Sequence, residues 1–157
     1  MVETKRSILI GSDENGYVLK GQLKEYLKEK GYDVIDVGVD GNEKTLYPQI
    51  AIVLCEKLLK EGYERGILVC GTGIGMAVTA NKIPGIRAAV IHDPYSAERA
   101  RASNDAQIAA FGSQVIGVDA AKKNLDIWLK SEFAGGRSLP KVEMIKELDK
   151  KRTSMAA

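Results

Sequence analysis

Short apolar runs and amphipathic helical stretches alternate along this chain, and that alternation constrains the fold more than any other feature. The runs Ser7 to Gly11, Asp33 to Val37, Gly66 to Cys70, Arg87 to Ile91 and Gln107 to Phe111 have the length and apolar content of strands. Between them lie helical patterns. The first spans Tyr17 to Lys30, with Leu19, Leu23 and Leu27 on one face and Gly31 to end it. The next runs from Tyr47 to about Lys60, where Pro48 suits the first turn, followed by Ile74 to Ala80 and Pro94 to about Ala102. Helices over Val118 to Lys130 and Lys141 to Lys151 come after the last strand. Strands separated by helices pair in parallel through right-handed crossovers. The chain is therefore predicted to be α/β: a three-layer α/β/α sandwich around a Rossmann-like, doubly wound, five-stranded parallel sheet.

At 157 residues and 45% hydrophobic content the chain suits one domain, residues 1–157, with a C-terminal helix and tail from about residue 141. A net charge of +2 with 28% charged residues is too balanced to indicate nucleic-acid binding, so small molecules or a second copy are the expected partners. Lys150-Lys151-Arg152 reads as a solvated helix end and mobile tail. Cys55 and Cys70 have neither metal spacing nor a secretory framework, and Met1 to Arg6 has no signal-peptide apolar core. No apolar run approaches the about 18 residues of a membrane span. The expected compartment is the cytoplasm. Cys55 falls on the apolar side of a helix and reads as core; Trp128 reads as packing or subunit contact.

The run Cys70-Gly71-Thr72-Gly73-Ile74-Gly75 places a thiol where a strand gives way to a glycine-rich turn and a helix. Backbone approaches a ligand closely only where side chains are missing, and the first amides of a helix lack intrahelical acceptors and attract negative charge. Cys70 is thus either a base or nucleophile acting on a small anion, or a buried strand-end cysteine beside a structural turn. Other unusual residues gather at the same carboxyl edge of the predicted sheet, where such folds bind ligands: Ser12-Asp13-Glu14, Tyr47, His92-Asp93 and Ser103-Asn104. In Gly135-Gly136-Arg137-Ser138-Leu139-Pro140-Lys141, two cations four residues apart form either a phosphate clamp or a solvated loop. A dinucleotide fingerprint fails in detail: Gly71-x-Gly73 is followed by Met76 where a third glycine belongs, and it follows the third strand instead of the first.

Taken in order, the motifs resemble the family of ribose-5-phosphate isomerase B and galactose-6-phosphate isomerase over nearly the whole chain. They are Gly11-Ser12-Asp13 with Gly16 and Leu19-Lys20, Tyr47-Pro48, the run Gly66 to Gly75, Ala80 to Ala89, Pro94-Tyr95-Ser96-Ala97, Ser103-Asn104-Asp105-Ala106 and Gly135-Gly136-Arg137. The resemblance implies interconversion of aldose and ketose phosphates through a cis-enediolate, without metal or organic cofactor, in homodimers or homotetramers whose sites draw on both subunits. It implies Cys70 as base and Thr72 as an aid to proton movement between the two oxygens. Backbone of Gly71, Gly73, Ile74 and Gly75 would hold the enediolate, and Asn104 the same end of the substrate. Asp13 and Tyr47 would face the sugar hydroxyls, and Arg137, aided by Lys141, the phosphate.

Two departures bear on the substrate. The ribose-isomerase pattern has His after the first Asp and again just before Asn-Asp, where this chain has Glu14 and Ser103. Glu14 makes the site less cationic and redirects it toward sugar hydroxyls. Ser103 is a poor acid or base near neutral pH, so the family's group for opening a furanose ring is missing. A tetrose 4-phosphate, esterified on the C4 oxygen, closes no furanose and needs no such group. The stretches Tyr95 to Ala100, Ser103 to Gln107 and Gly136 to Ser138 also resemble the branch acting on erythrulose 4-phosphate. Tetrose and pentose phosphates stand level as expected substrates, with hexose 6-phosphate and a non-catalytic binding module behind. His92 is read either as a ring-opening or substrate-binding group or as an organiser of its loop.

Overall fold

In a computed structural model describing residues 7–41 and 43–155, the strands are β1 (Ile8–Ser12), β2 (Val34–Asp36), β3 (Gly66–Cys70), β4 (Ala88–Val90) and β5 (Ile108–Gly112). The helices are α1 (Tyr17–Glu29), α2 (Tyr47–Glu61), α3 (Ile74–Ala80), α4 (Pro94–Ala102), α5 (Val118–Lys130) and α6 (Leu139–Met155). The Met1 to Arg6 segment and the last two residues of the expected tail lie outside the described residues. All strand pairs are parallel, in the order β2-β1-β3-β5-β4.

Handedness and order together decide which helix lies where. Connections running one way across the sheet, β1 to β2 and β4 to β5, put α1 and α4 on one face. Those running the other way, β2 to β3 and β3 to β4, put α2 and α3 on the opposite face. The strands alternate accordingly. Ile8, Ile10, Ile67, Val69, Ala109 and Phe111 pack with Leu19, Leu23, Leu27, Leu125 and Trp128 on the first face. Leu9, Leu68, Cys70, Ile108 and Ala110 pack with Ile50, Leu54, Cys55, Leu58, Met76 and Ala80 on the second. Because the chain leaves β1 in one direction and β3 in the other, a crevice opens between their carboxyl ends, directed at Asp13 and Cys70.

Most expected boundaries hold within a residue, and the expectation of Trp128 as packing is met. It is fully buried, its Nε1 donates to Ala106 O at 3.3 Å, and the Arg65 guanidinium lies 5.0 Å from its ring centre. The C-terminal region departs from expectation. Gly136–Ser138 forms a 3-10 turn that runs straight into α6, entered through Gly135 and Gly136 at φ of 68° and 56°, so Arg137 is not in an open loop and the helix begins at Leu139 instead of Lys141. Pro140 is tolerated because first-turn amides need no intrahelical acceptor. The helix also continues past Lys151. Lys150 and Lys151 are exposed, as expected of a solvated helix end, while Arg152 Nη2 donates to Lys82 O at 3.2 Å and Asp149 Oδ2 accepts from Gly85 N at 2.9 Å, which tie α6 to the segment between α3 and β4. No helix among the described residues is long and apolar enough to cross a membrane.

The turn after β2 is held by a buried cation. Lys20 Nζ donates to Asp36 Oδ1 at 3.0 Å and to Val39 O at 2.7 Å, while Lys24 Nζ reaches Asp36 Oδ2 at 3.2 Å and Gly38 N donates to Asp36 Oδ1 at 2.9 Å. The same turn exchanges Ser12 N to Gly38 O and Val39 N to Ser12 O, so it braces the end of β1 beside Asp13. Burial acts to raise the Asp36 pKa, but the Gly38 amide, Lys20 and Lys24 outweigh it and hold the carboxyl below its ordinary value. Its stabilising contribution is therefore present above the ordinary carboxylate range and is lost as pH falls through the depressed value. Lys20→Ala, which takes the buried cation from the half-buried Asp36 carboxylate and from the Val39 carbonyl, is expected to cost about 3 kcal/mol in urea denaturation. The variant should also show a flatter loss of stability in acid than the parent.

Candidate active site

The candidate site is centred on the Cys70–Gly73 turn. Gly73 lies in the left-handed region, at φ 78°, which lets its amide turn back and donate to Cys70 Sγ at 3.2 Å. The positive end of that amide dipole faces the sulfur. One residue on, Ile74 N donates to Thr72 Oγ1 at 3.2 Å, so the thiol and the hydroxyl are each oriented by an amide at the start of α3.

Three close approaches build the walls. A side chain on Gly75 would overlap the ring of Tyr47, the first residue of α2, and its absence lets that ring lie across the turn. A side chain on Gly16 would strike the carbonyl of Val69; without one, the β1–α1 loop folds over the end of β3 and carries Asp13 toward Cys70. Gln114 leans over Gly71, its amide atoms 3.5–3.7 Å from where a Cβ would sit. The result is a cavity of about 440 Å³ lined by Asp13, Asn15, Tyr47, Cys70, Gly71, Thr72, Ile74, Gly75 and Val78. A larger groove of about 620 Å³ along α1 holds no thiol, and its Lys20 and Lys24 are both engaged by Asp36.

Asp13 Oδ1 accepts from Gly16 N at 3.0 Å. Burial raises its pKa against that hydrogen bond, and the neighbouring Glu14 charge adds to the rise. Glu14 itself, expected to face substrate, turns its Oε2 to Thr45 N at 3.1 Å, and this bond leads the lowering of its pKa. It thereby anchors the segment leading into Tyr47. Cys55 is buried in the core of α2, as expected, and burial pushes its thiol up to about 12. Among the described residues no group of three or more His, Cys, Asp or Glu is placed to hold a metal ion.

The structure thus brings Asp13, Tyr47, Cys70, Gly71, Thr72, Ile74 and Gly75 to one cavity, with the buried Gly73 shaping the turn behind them. It does not bring Glu14, His92, Ser103, Asn104, Arg137 or Lys141 into that lining. Ser103 Oγ accepts from Arg99 Nη1 at 2.9 Å and Asn104 Nδ2 donates to Arg99 O at 3.0 Å at the end of α4. Arg137, in the 3-10 turn before α6, and Lys141, in the first turn of α6, are exposed. His92 Nε2 accepts from Gly112 N at 2.8 Å. Sequence reasoning missed Asn15, Val78 and Gln114. Val78 stands one helical turn beyond Ile74 on α3 and was readable from that spacing. Gln114 carried no local signal, since it reaches the turn only through the pairing of Cys70 with Gly112.

Residues 8–145 match the family model described as Ribose/Galactose Isomerase. A ribose-5-P isomerase B of Listeria innocua is 57% identical over 144 residues, covering 92% of this chain and 97% of that protein. A D-erythrulose-4-phosphate isomerase of Pectobacterium atrosepticum is 49% identical over 140 residues, covering 88% and 92%. The solved structure of Clostridium thermocellum ribose-5-phosphate isomerase B superposes with a TM-score of 0.90 at 46% identity, covering 93% of this chain and 99% of that one. The chain belongs to the ribose/galactose isomerase family, a family of sugar-phosphate aldose–ketose isomerases.

The two thiols differ enough to be separated chemically. Iodoacetamide at neutral pH is expected to alkylate Cys70 through the cavity and to leave Cys55 untouched until the protein unfolds, as read by peptide mass spectrometry. Equal labelling of both in native protein would contradict this arrangement.

Proposed function

We propose that this sugar-phosphate isomerase works through a cis-enediolate, with Cys70 as the base that moves a proton between C1 and C2 of an open-chain substrate and Thr72 assisting transfer between the two oxygens. The observation that carries the reading is a cavity that pairs an amide-oriented thiol with an amide-oriented hydroxyl, under a lid of Tyr47 and beside Asp13. Amides of the glycine turn stabilise the enediolate oxygen, and Asp13 and Tyr47 take the sugar hydroxyls. Atoms balance without a co-reactant, since the proton removed from one carbon returns to its neighbour.

No cation lines that cavity among the described residues, yet the substrate carries a phosphate. Arg137 and Lys141 are therefore read as the phosphate ligands, and Asn104 as a ligand of the reacting end, all supplied by a second copy of the chain. Exposed apolar side chains support this homodimer: Ile74 and Val78 line the cavity, Leu46 directly precedes Tyr47, Val53 extends the surface along α2, and Met144, Ile145 and Leu148 lie on α6. The two free thiols suit the reducing cytoplasm.

The Ser103 position favours a substrate that is already open. Its hydroxyl accepts from Arg99 and neither ionises nor takes up a proton near neutral pH, so a furanose finds no acid–base group for ring opening there. That argues for tetrose 4-phosphates over ribose 5-phosphate, with galactose 6-phosphate behind.

The test is a turnover screen with erythrulose 4-phosphate, ribose 5-phosphate and galactose 6-phosphate. Cys70→Ala, unchanged in melting temperature, is expected to lose about two to four orders of magnitude in rate on every accepted substrate. Near-parental turnover by that variant would remove Cys70 as the base. Ser103→His should raise ribose 5-phosphate turnover without raising that of erythrulose 4-phosphate. Efficient parental turnover of ribose 5-phosphate with none of the tetrose would refute the open-chain argument.

A further inference from the structure

His92 is the only histidine in the chain, and it stands where the sheet ends and the Cys70 turn begins. β4 follows β5 in register from Ala88 opposite Ile108 to Val90 opposite Ala110, and Ile91 N still donates to Ala110 O at 3.2 Å. One further step of that parallel ladder would give the Gly112 amide to the carbonyl of Ile91. That carbonyl accepts from Asn124 Nδ2 of α5 at 3.1 Å, and Gly112 N donates to His92 Nε2 at 2.8 Å. The imidazole stands in for a strand carbonyl.

What Gly112 holds is the reactive turn itself. A Cβ on Gly112 would lie 2.6 Å from the Cα and O of Thr72, and one on Gly73 would lie 3.0 Å from the carbonyl carbon of Phe111. Next to these contacts, Ser113 N donates to Cys70 O at 2.9 Å and Gln114 N to Gly71 O at 3.0 Å. Residues 111–114 are the template on which Cys70 to Gly73 is laid, and His92 secures the middle of it. We propose that His92 is a positioning residue: by accepting from Gly112 it fixes the end of β5 and, through it, the geometry of Thr72 and Cys70, without touching substrate. The proposal rests on the reading of Cys70 and Thr72 as the proton-transfer pair.

An acceptor needs the Nε2 lone pair, so the ring must be neutral with its proton on Nδ1. A second proton would set two N–H groups against each other and break the contact. α3 and β5 bring no ionisable side chain to the ring. On α4, Glu98 pairs with Arg99, and Arg101 pairs with Asp105. Asp93, capping α4 through Ser96 N, is the charge that acts on the imidazole. Burial lowers the His92 pKa and Asp93 opposes it with the smaller effect, so the accepting form persists below the ordinary histidine range and is lost only as pH falls through the lowered value.

The experiment has three readouts. Long-range proton–nitrogen NMR, unambiguous with one histidine, is expected to show the Nδ1–H tautomer with a bare Nε2; an Nε2–H tautomer overturns the proposal. In steady-state assays His92→Ala should lower kcat by about ten- to a hundredfold with KM little changed. His92→Gln, whose side-chain carbonyl reaches the same place, should restore most of kcat and move the acid limb of the pH profile. A raised KM at unchanged kcat in His92→Ala would make His92 a substrate ligand, and failure of a normally melting His92→Gln to recover activity would also overturn the proposal. If the parent isomerises no sugar phosphate, the functional reading fails by itself. The Cys70 alkylation rate then still reports on the turn, expected to change in His92→Ala and return in His92→Gln, and equal rates in all three overturn the proposal. Should His92→Ala not fold, the tautomer and His92→Gln carry the test.

Discussion

Right-handed crossover between parallel strands is the constraint from which the rest of this molecule follows. Given the order β2-β1-β3-β5-β4, it forces α1 and α4 to one face and α2 and α3 to the other, and it leaves a crevice where the chain departs from β1 and β3 in opposite directions. The side-chain period of two along β3 then places Cys70 on the α2–α3 face, under Tyr47 and at the head of α3. A shift of one residue in that strand would bury the thiol among Leu23, Phe111 and Trp128 instead.

Glycine does the remaining work at the crevice by having no side chain at three places where backbone or ring must come close. Gly16 lets the β1–α1 loop reach Val69, Gly75 admits the Tyr47 ring, and Gly112 allows the Thr72 backbone to rest on β5. Each contact fixes one wall of the cavity. The amides freed at the strand ends are then used twice, toward Cys70 and Thr72 on the substrate side and from Ser113 and Gln114 on the supporting side. Under the proposed mechanism such preorganisation counts, because groups held in place by amides of the fold need no reorientation as charge develops.

Glu14 and Ser103 depart from the ribose-isomerase pattern, and both engage the chain itself, Glu14 with Thr45 and Ser103 with Arg99. Neither supplies a titrating group near neutral pH to a sugar ring. Relatives in this family carry the names of both a four-carbon and a five-carbon sugar-phosphate isomerase.

The sequence alone determined the layer architecture, because strand and helix periods differ and glycine and proline punctuate each change between them. It also drew attention to the Cys70–Gly75 turn, where a thiol and alternating glycines between a strand and a helix fit either a site for a small anion or a structural turn, and the fold opens a cavity there. Boundaries slipped where local pattern is silent about hydrogen-bond partners. β5 ends at Gly112 because Cys70 pairs with it, and α6 starts at Leu139 because the 3-10 turn at Gly136–Ser138 feeds into it. Only tertiary structure decided that His92 serves Gly112, that Gln114 overlies Gly71, and that Ser103, Asn104 and Arg137 stand outside the cavity of their own chain. These are matters of register and crossover between residues far apart in sequence, and side-chain chemistry read along the chain carries no information about which distant amide will lie 2.8 Å away.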